Sequence, residues 1–375
     1  DHRDLHSFPT RRSSDLGHFA TGYRTIEDSY HMFQQNQLFR SHAIGNFKDL
    51  THRIIRDPAM IAYLNNNQNR RQAPNENLAR ELMELFTLGE GNAYTERDIK
   101  EGARALTGFT YYDDEFRFVP EQHDDGAKRI LGASGRFDGD GFVDVIFRRD
   151  ECSQFICYKL YRYLVNDLPG TPEKPTQEFI LRLANEFRRG KYELKPVLKT
   201  LFRSRHFYET DNTASLVKSP IQLIVQAIRS LHTPTRDMSV LVSAADLMGQ
   251  NLFMPPSVKG WDGGRAWINT STLFVRHNML IYLLTGQRPN AYDWQTNADP
   301  FDAMHLVEQL KSPDGRIPAA ETVKYLLRFS FGTEPHPERV TNLTDFVEQH
   351  GGRIDNDMLI ALLSLITAMP EYQLC

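Results

Sequence analysis

The residues best suited to chemistry lie between positions 75 and 88, in the segment NENLARELMELFTL. At about 100° per residue in a helix, Glu76, Arg80, Glu81 and Glu84 fall on one face, and apolar residues occupy the other. A glutamate with a raised pKa can donate a proton while a second one stays ionised, and two such carboxylates can support glycoside cleavage. The alternative is a solvent-exposed face on which Arg80 pairs with glutamates one turn away, at only ~0.2–0.5 kcal/mol per pair.

A second candidate segment is HDDGAK, residues 123–128. Histidine exchanges a proton near neutral pH, so His123 joins the three glutamates as a candidate catalytic residue, with Asp124 and Lys128 as candidate binding residues. Neighbouring residues on an extended chain point to opposite sides, which places Asp124 poorly for orienting His123. Asp-Gly pairs are also common in turns, so a structural turn is the alternative.

The third candidate is a long segment, residues 249–269, that is rich in glycine, proline and tryptophan. Trp261 and Trp267 offer flat apolar faces that suit a sugar ring or a peptide, and long loops of this kind are often functional. Asn269 and Arg276 could add polar contacts where the loop ends. The alternative is that both indoles fill the core and the loop is a rigid structural strap.

Helical patterns dominate the chain that must position these residues. Asp57-Pro58 and the capping box Thr95–Asp98 each predict a helix start, and Thr25–Asp28 predicts a helix running towards Arg40. Further helices are predicted at about 151–165, 177–188, 193–203, 219–231 and 239–248, and one capped by Thr270 or Ser271. The apolar run Met358–Met369 is too short to cross about 30 Å of hydrocarbon and predicts a buried core helix.

The predicted fold class is mainly α. We expect an irregular multi-helix bundle with a small antiparallel β-hairpin or three-stranded meander inserted near 109–131, where aromatic residues alternate with polar ones. The predicted main helical domain covers 17–285 and includes the loop 249–269. A polar linker at 286–300 then leads to a C-terminal helical subdomain, 301–375, packed on the main domain.

Composition excludes several classes of protein. The net charge of −4, with 25% charged and 40% hydrophobic residues and no long basic block, is typical of a globular protein and argues against nucleic-acid binding. Cys152, Cys157 and Cys375 have no spacing suited to zinc, so we expect packing cysteines with no disulfide and no metal site. No GxSxG, P-loop, GxGxxG or HExxH motif occurs, and no cofactor is indicated.

The first sixteen residues, DHRDLHSFPTRRSSDL, back-translate codon by codon into a widely used sequencing adaptor. Such segments are set aside before any reasoning about the fold. We expect residues 1–16 to be an irregular artefact that packs on nothing, preceding a fragment that is truncated at its N-terminus.

Several segments, read in order, resemble the bacterial family known as domain of unknown function 1800 (DUF1800). They are HFAT (18–21), DPAM (57–60), PNENLARELMELFTLGEG, YTERDIKEGARALTGF, HDDGAKRILG, KSP (218–220), MGQNLFMPPSVKGWDGG, AWINTSTLFVR and the closing MPEYQLC. Asn65 departs from the pattern, where an aspartate is expected. The resemblance implies a mostly helical, exported bacterial protein, periplasmic or secreted, often encoded beside a sulfatase-like secreted partner. It implies no activity, cofactor or catalytic residue.

Two functional hypotheses follow, beside a third possibility, a purely structural scaffold in which all these polar groups are exposed or internally paired. The first is an exported accessory or binding protein that acts with the sulfatase-like partner or on a surface polymer, such as a polysaccharide or peptide. The alternative is a hydrolase or lyase that uses Glu76, Glu81 and Glu84 with His123. The sequence does not decide whether the protein is an enzyme.

Overall fold

The computed structural model describes residues 17–168, 170–287, 300–313 and 315–375. Across these ranges the chain is mainly helical, as the sequence predicted, and it contains two small two-stranded antiparallel sheets. The predicted adaptor segment 1–16 and most of the predicted linker 286–300 lie outside the described residues. The chain divides into two compact units. Unit 1 holds the described residues up to Tyr208 together with Phe253–Trp261, and unit 2 holds Glu209–Leu252 and Asp262–Cys375.

The helices of unit 1 follow one another closely, with both sheets inserted after the sixth. They are α1 (Tyr23–Ile26), α2 (Ser29–His42), α3 (Phe47–Ile54), α4 (Pro58–Tyr63), α5 (Asn77–Glu81), α6 (Glu96–Ala105), α7 (Gly139–Ile146), α8 (Asp150–Leu164), α9 (Lys174–Arg189) and α10 (Leu194–Arg203). The strands are β1 (Phe109–Tyr112), β2 (Glu115–Phe118), β3 (Lys128–Ile130) and β4 (Ala133–Gly135).

Side-chain caps explain half of these helix starts. The Thr95–Asp98 capping box opens α6 as predicted, and Asp57 caps α4 with Pro58 at the first helical position. The predicted capping box at Thr25–Asp28 is wrong, because Thr25 lies within α1, which ends at Ile26. Asp28 is itself the N-cap of α2, where its side chain accepts hydrogen bonds from the backbone N–H groups of Tyr30 and His31.

The inserted β structure is two separate hairpins rather than a three-stranded meander. β1 pairs with β2, with Tyr112 opposite Glu115, and β3 pairs only with β4 within the described chain. Side chains of α6 supply hydrogen bonds to the second hairpin: Glu101 accepts from the N–H of Arg129, and Asp98 accepts from the N–H of Leu131. Because α6 takes these donors, β3 is held against a helix and not against the first hairpin.

The core of unit 1 is rich in aromatic side chains from distant segments. Phe19 lies fully buried with its ring centroid 6.1 Å from that of Phe39, 5.7 Å from Phe47 and 5.1 Å from Phe86. These rings come from the HFAT segment, α2, α3 and the turn Leu82–Thr87 that follows α5. Burial of so many large side chains is the main stabilising contribution to this unit.

Helix α6 packs against α7 through a glycine. A Cβ at Gly102 would lie 2.5 Å from Cζ of Phe142, whose ring is fully buried. Alanine in place of Gly102 gains up to about 1 kcal/mol of helix propensity, but overpacking a core costs about 1–3 kcal/mol. We expect Gly102→Ala to lower the free energy of unfolding by about 1–2 kcal/mol in a urea titration. Gly102→Ala with Phe142→Leu should recover part of that loss, and a strictly additive double variant would contradict the proposed clash.

Unit 2 has its own hydrophobic core. Its helices are α11 (Pro220–Leu231), α12 (Met238–Leu247), α13 (Thr270–Thr285), α14 (Ala319–Phe331), α15 (Pro337–Gln349) and α16 (Asn356–Ala368). The predicted core helix near the C-terminus is confirmed as α16, which buries Leu359, Leu362, Leu363 and Ile366. Helices α11 to α13, predicted to belong with residues 17–285, share a core with α14 to α16 because their apolar faces meet there.

Short 3₁₀ turns connect many of these elements. They are Asn66–Gln68, Pro120–Gln122, Arg205–Tyr208, Thr210–Asn212, Gly264–Trp267, Met304–Leu306, Glu308–Leu310 and Pro370–Gln373. Among the described residues, no helix combines the length and apolar character needed to cross a membrane. Cys152 and Cys157 are free and buried in α8, as expected of packing cysteines, and Cys375 is also free.

Candidate functional site

The segment that carries the three candidate glutamates is not one regular helix. Its α-helical part ends at Glu81 and continues as a π-helical turn, Leu82–Thr87, in which the N–H of Leu88 donates to the carbonyl of Met83 at 2.9 Å. The apolar face is buried as predicted, with Leu78, Leu82 and Phe86 inaccessible to solvent. Single π-helical turns within α-helices are frequent at functional sites, because the wider turn reorients the side chains that follow.

Arg80 forms ion pairs with two of the three candidate glutamates, Glu76 and Glu84. Its guanidinium lies 3.1 Å from Glu76 and 3.3 Å from Glu84, and it makes a bidentate pair with Glu96 at the start of α6. The hydrogen bond to Glu96, and then those to its other partners, raises the pKa of Arg80 above its usual range. For Glu76 this arrangement agrees with the solvent-exposed, ion-paired alternative.

Glu81 differs from its neighbours. Its side chain is half-buried, and its carboxylate has no hydrogen-bond partner among the described residues. Burial raises the pKa of Glu81, and the negative charges of Glu84 and Glu90 raise it further, while the positive charges of Arg80 and Lys259 act against this. A half-buried carboxyl group with a raised pKa and no protein partner is available to a ligand.

Two tyrosines and a lysine complete the surroundings of Glu81. Burial, together with the negative charge of Glu81, raises the pKa of Tyr63 at the end of α4. Burial raises the pKa of Tyr94, a hydrogen bond from the N–H of Gly91 opposes the rise, and the negative charge of Glu84 adds to it. Lys259 lies 3.1 Å from Glu90, and the hydrogen bond between them raises the pKa of Lys259. The negative charges of Glu81 and Glu84 raise it further. We call Glu81, Glu84, Lys259, Tyr63 and Tyr94 the Glu81 site.

The segment Phe253–Trp261 reaches this site because its backbone packs closely on residues near position 20. Phe253 accepts a hydrogen bond from the N–H of Tyr23 at 2.8 Å. Gly260 has a positive φ of 80°, and a Cβ there would collide with the carbonyl oxygen of Gly17. Only glycine fits such a backbone shape and approach without strain. The KGW sequence therefore brings Lys259 to the glutamate-bearing helix.

His18 contacts the π-helical turn. Its Nε2 lies 3.0 Å from the carbonyl oxygen of Phe86, and the ring is buried against Phe19. The sequence pattern did not single out His18, Tyr63, Tyr94 or Lys259. All but Tyr63 lie within segments quoted above for the family resemblance, and that clustering was the available signal.

The HDDGAK segment is tied to α6. Nδ1 of His123 lies 2.8 Å from the carbonyl oxygen of Thr107, and its ring packs edge-on against Phe118. The pKa of Asp124 is lowered by hydrogen bonds from Arg104, which it meets at 2.7 and 3.1 Å. Buried Lys128 donates to backbone carbonyls of the same turn, and burial lowers its pKa. These contacts agree with the structural turn, and none of them joins His123 to the glutamates.

The two candidate tryptophans belong to different units. Trp261 is half-buried in unit 1, whereas Trp267 is 7% exposed in unit 2, where its carbonyl accepts a hydrogen bond from Thr272. The burial of Trp267 agrees with the structural alternative. Asn269, not the predicted Thr270 or Ser271, is the N-cap of α13, because its side chain accepts from the N–H of Thr272.

Arg276 is fully buried inside unit 2. Its Nε donates to Gln373 at 2.8 Å, and Nη2 donates to the carbonyl of Lys218 at 2.7 Å. Lys218 is buried as well, donates to the carbonyl of Tyr372 at 2.6 Å and lies 4.3 Å from the Tyr372 ring centroid. Burial lowers the pKa of Arg276 to about 10 and that of Lys218 to about 8. Lys218 of the KSP segment and Arg276 of the FVR segment thus both bind the C-terminal segment PEYQLC.

Comparison with known proteins identifies the family. Residues 16–374 match the family described as protein of unknown function, DUF1800, and the chain therefore belongs to it. No curated protein and no solved structure shows significant similarity to the chain. The family description names no reaction, ligand or partner.

Proposed function

We propose that the protein is an exported binding protein that recognises a surface polysaccharide through the Glu81 site, acting beside a sulfatase-like secreted partner. The observation that carries the proposal is Glu81 itself, a half-buried carboxyl group with a raised pKa and no hydrogen-bond partner among the described residues. Glu81 directly precedes the π-helical turn Leu82–Thr87, which carries Glu84, and this supports a functional role for the segment. Export and the partner class rest on the family resemblance alone.

The charges of the site favour one class of polymer. Glu81, Glu84 and the adjacent Glu90 outnumber Lys259, whose ammonium is already paired with Glu90. A sulfated chain would meet like charge here, and close like charges are costly. Neutral hydroxyl groups can donate to the carboxylates and accept from the protonated groups, and amino groups can pair with the carboxylates. We therefore propose a neutral or amine-bearing polysaccharide as the ligand.

Affinity electrophoresis through gels that contain a neutral glucan, chitosan or sulfated dextran tests this proposal. We expect retardation by the glucan or chitosan, and a loss of affinity of about 10-fold or more for Glu81→Gln, since a hydrogen bond to a charged group contributes about 1.5–3 kcal/mol. Glu178→Gln, which removes an exposed carboxylate from α9, is the matched control. Equal mobility of the two variants in every gel, or retardation by sulfated dextran alone, would contradict the proposal.

A hydrolase or lyase is the second candidate, and the raised pKa of Glu81 beside the ion-paired Glu84 favours it. Two carboxyl groups in unequal environments are the arrangement that general acid–base catalysis uses. Reducing ends released from the bound polymer measure this activity. Loss of the acid should slow release by about 10²–10⁴-fold in Glu81→Gln. Polymer binding by the wild-type protein without any release would leave only the binding function.

A further inference from the structure

We propose that Asp28, His31 and Asp114 bind a divalent transition-metal ion at a site separate from the Glu81 site. The three residues come from two elements of unit 1. Asp28 is the N-cap of α2, His31 lies in the first turn of that helix, and Asp114 lies in the turn between β1 and β2. The ion would be held between the start of a helix and the tip of a hairpin.

Both supporting elements fix their ligands without using all of the ligand atoms. Oδ1 of Asp28 accepts from the N–H groups of Tyr30 and His31 at 2.8 and 3.0 Å. Oδ2 lies 3.8 Å from Nδ1 of His31 and accepts no hydrogen bond among the described residues. The hairpin turn contains only Asp113 and Asp114, and Asp113 has a φ of 52°. Two-residue turns of this kind hold the strands in one register, so the turn keeps Asp114 beside α2.

The distances suit a shared ion. One ligand atom from each residue lies within 4.8 Å of the other two, and Nε2 of His31 is 3.1 Å from Oδ1 of Asp114. Metal bonds of about 2.0–2.2 Å at tetrahedral or octahedral angles put neighbouring ligand atoms about 3.0–3.5 Å apart. The side chains of Asp28 and Asp114 are 40% and 50% exposed, so they can rotate to complete the coordination.

His31 provides an independent observation that points to a ligand. It is 4% exposed, and its Nε2 is buried without a hydrogen-bond partner even though the Asp114 oxygen is only 3.1 Å away. The two atoms are close but not aligned as donor and acceptor. A buried polar atom left unpaired costs about 1–3 kcal/mol, and two ligands of one ion would be close and unaligned in this way. The Tyr111 ring, edge-on at 5.2 Å, limits how the imidazole can turn.

The chemistry of the ligands limits the choice of ion. One imidazole nitrogen and two carboxylate oxygens favour Zn²⁺ or Mn²⁺ over the harder Mg²⁺ and Ca²⁺, which prefer oxygen ligands alone. The two negative charges balance the ion, and the exposed side of the site leaves positions for water. The sequence pattern gave no sign of this site, because Asp114 is far from the other two ligands along the chain.

Metal-free protein, prepared with a chelator and dialysed, should bind about one Zn²⁺ or Mn²⁺ per chain in isothermal titration calorimetry. Asp114→Asn and Asp28→Asn should each weaken binding at least about 10-fold. Asparagine still caps a helix and still fits a tight turn, so both variants should fold. Asp113→Asn, in the same turn, is the matched control and should bind as the wild type does.

Thermal melting gives a second readout. The ion should raise the melting temperature of the wild type and of Asp113→Asn, but not that of Asp114→Asn or Asp28→Asn. Absence of saturable binding to the wild type, or equal binding by Asp113→Asn and Asp114→Asn, would overturn the proposal. The cluster would then be a contact between His31 and two aspartates that holds no ion.

Discussion

Phe47→Ala is expected to lower the free energy of unfolding of unit 1 by about 3–5 kcal/mol. Phe47 is 1% exposed and begins α3, and its ring centroid lies 5.7 Å from Phe19, 6.1 Å from Phe147 and 6.4 Å from Phe187. Truncation removes the buried ring and leaves a cavity. The rigid helices around it can close that cavity only in part, so the lost contacts are not replaced.

A urea titration followed by circular dichroism measures this loss, and hydrogen exchange assigns the transition to unit 1. Assignment matters because a chain with two compact units need not unfold in one step. Phe33→Ala is the matched control, since Phe33 is 54% exposed on α2 and its loss should cost less than about 0.5 kcal/mol. Equal destabilisation by the two substitutions would show that Phe47 is not a core residue.

The second large effect is a pH-dependent contribution to stability from Asp57. Its carboxyl is buried, accepts from Gln35 Nε2 at 2.7 Å and from the N–H of Met60 at 2.9 Å, and lies within electrostatic reach of His31. Burial raises the pKa of Asp57 to about 6. The hydrogen bonds from Met60 and Gln35, and the electrostatic effect of His31, only partly oppose this rise. The folded state therefore holds a proton on Asp57 up to a higher pH than the unfolded chain, in which the carboxyl has its ordinary pKa of 3.8.

The sign follows from which state binds the proton more tightly. Because the folded pKa is the higher one, the contribution of Asp57 to stability is fully present below about 4 and is lost as the pH rises through about 6. The difference between the two pKa values corresponds to at most about 3 kcal/mol. Asp57→Asn keeps an oxygen for the helix cap and carries no charge, so it should be more stable relative to wild type at pH 7.5 than at pH 4.5.

Free energies of unfolding measured at several pH values between 4.5 and 7.5 check this expectation. A chelator belongs in every sample, because a metal ion bound at His31 would change the charge near Asp57. Asp125→Asn removes an exposed carboxylate from unit 1 and should follow the wild-type pH profile. Parallel profiles for the wild type and Asp57→Asn would mean that the buried carboxyl does not titrate in this range.

Local sequence signals predicted the helices well and their boundaries less well. The α6 capping box and Asp57-Pro58 were read correctly because a cap depends on residues three or four positions apart. The same motif at Thr25–Asp28 gave a wrong helix start, because Asp28 can serve either as the last residue of a capping box or as the N-cap of the next helix. Asn269, a predicted binding residue, is also the N-cap of α13, because asparagine suits both roles.

The candidate sites were predicted less completely. Glu81 was named with Glu76 and Glu84 from a helical projection, but the sequence held no sign of the π-helical turn or of the burial that sets Glu81 apart. Arg80 pairs with Glu76 and Glu84, which lie near it along the chain, and also with Glu96. The pair with Glu96 depends on the packing of α5 beside α6. A pattern within one helix cannot report what a second helix brings to it.

The sequence by itself determined the helical elements, their amphipathic faces, the aromatic hairpin and the family, because each depends on neighbouring residues or on recognisable segments. Only the tertiary structure brought Lys259 to Glu81 and Asp114 to His31, and only it divided the chain into its two cores. Desolvation and ligand geometry depend on atoms that are close in space but far apart along the chain. Those atoms meet only once the apolar faces have packed.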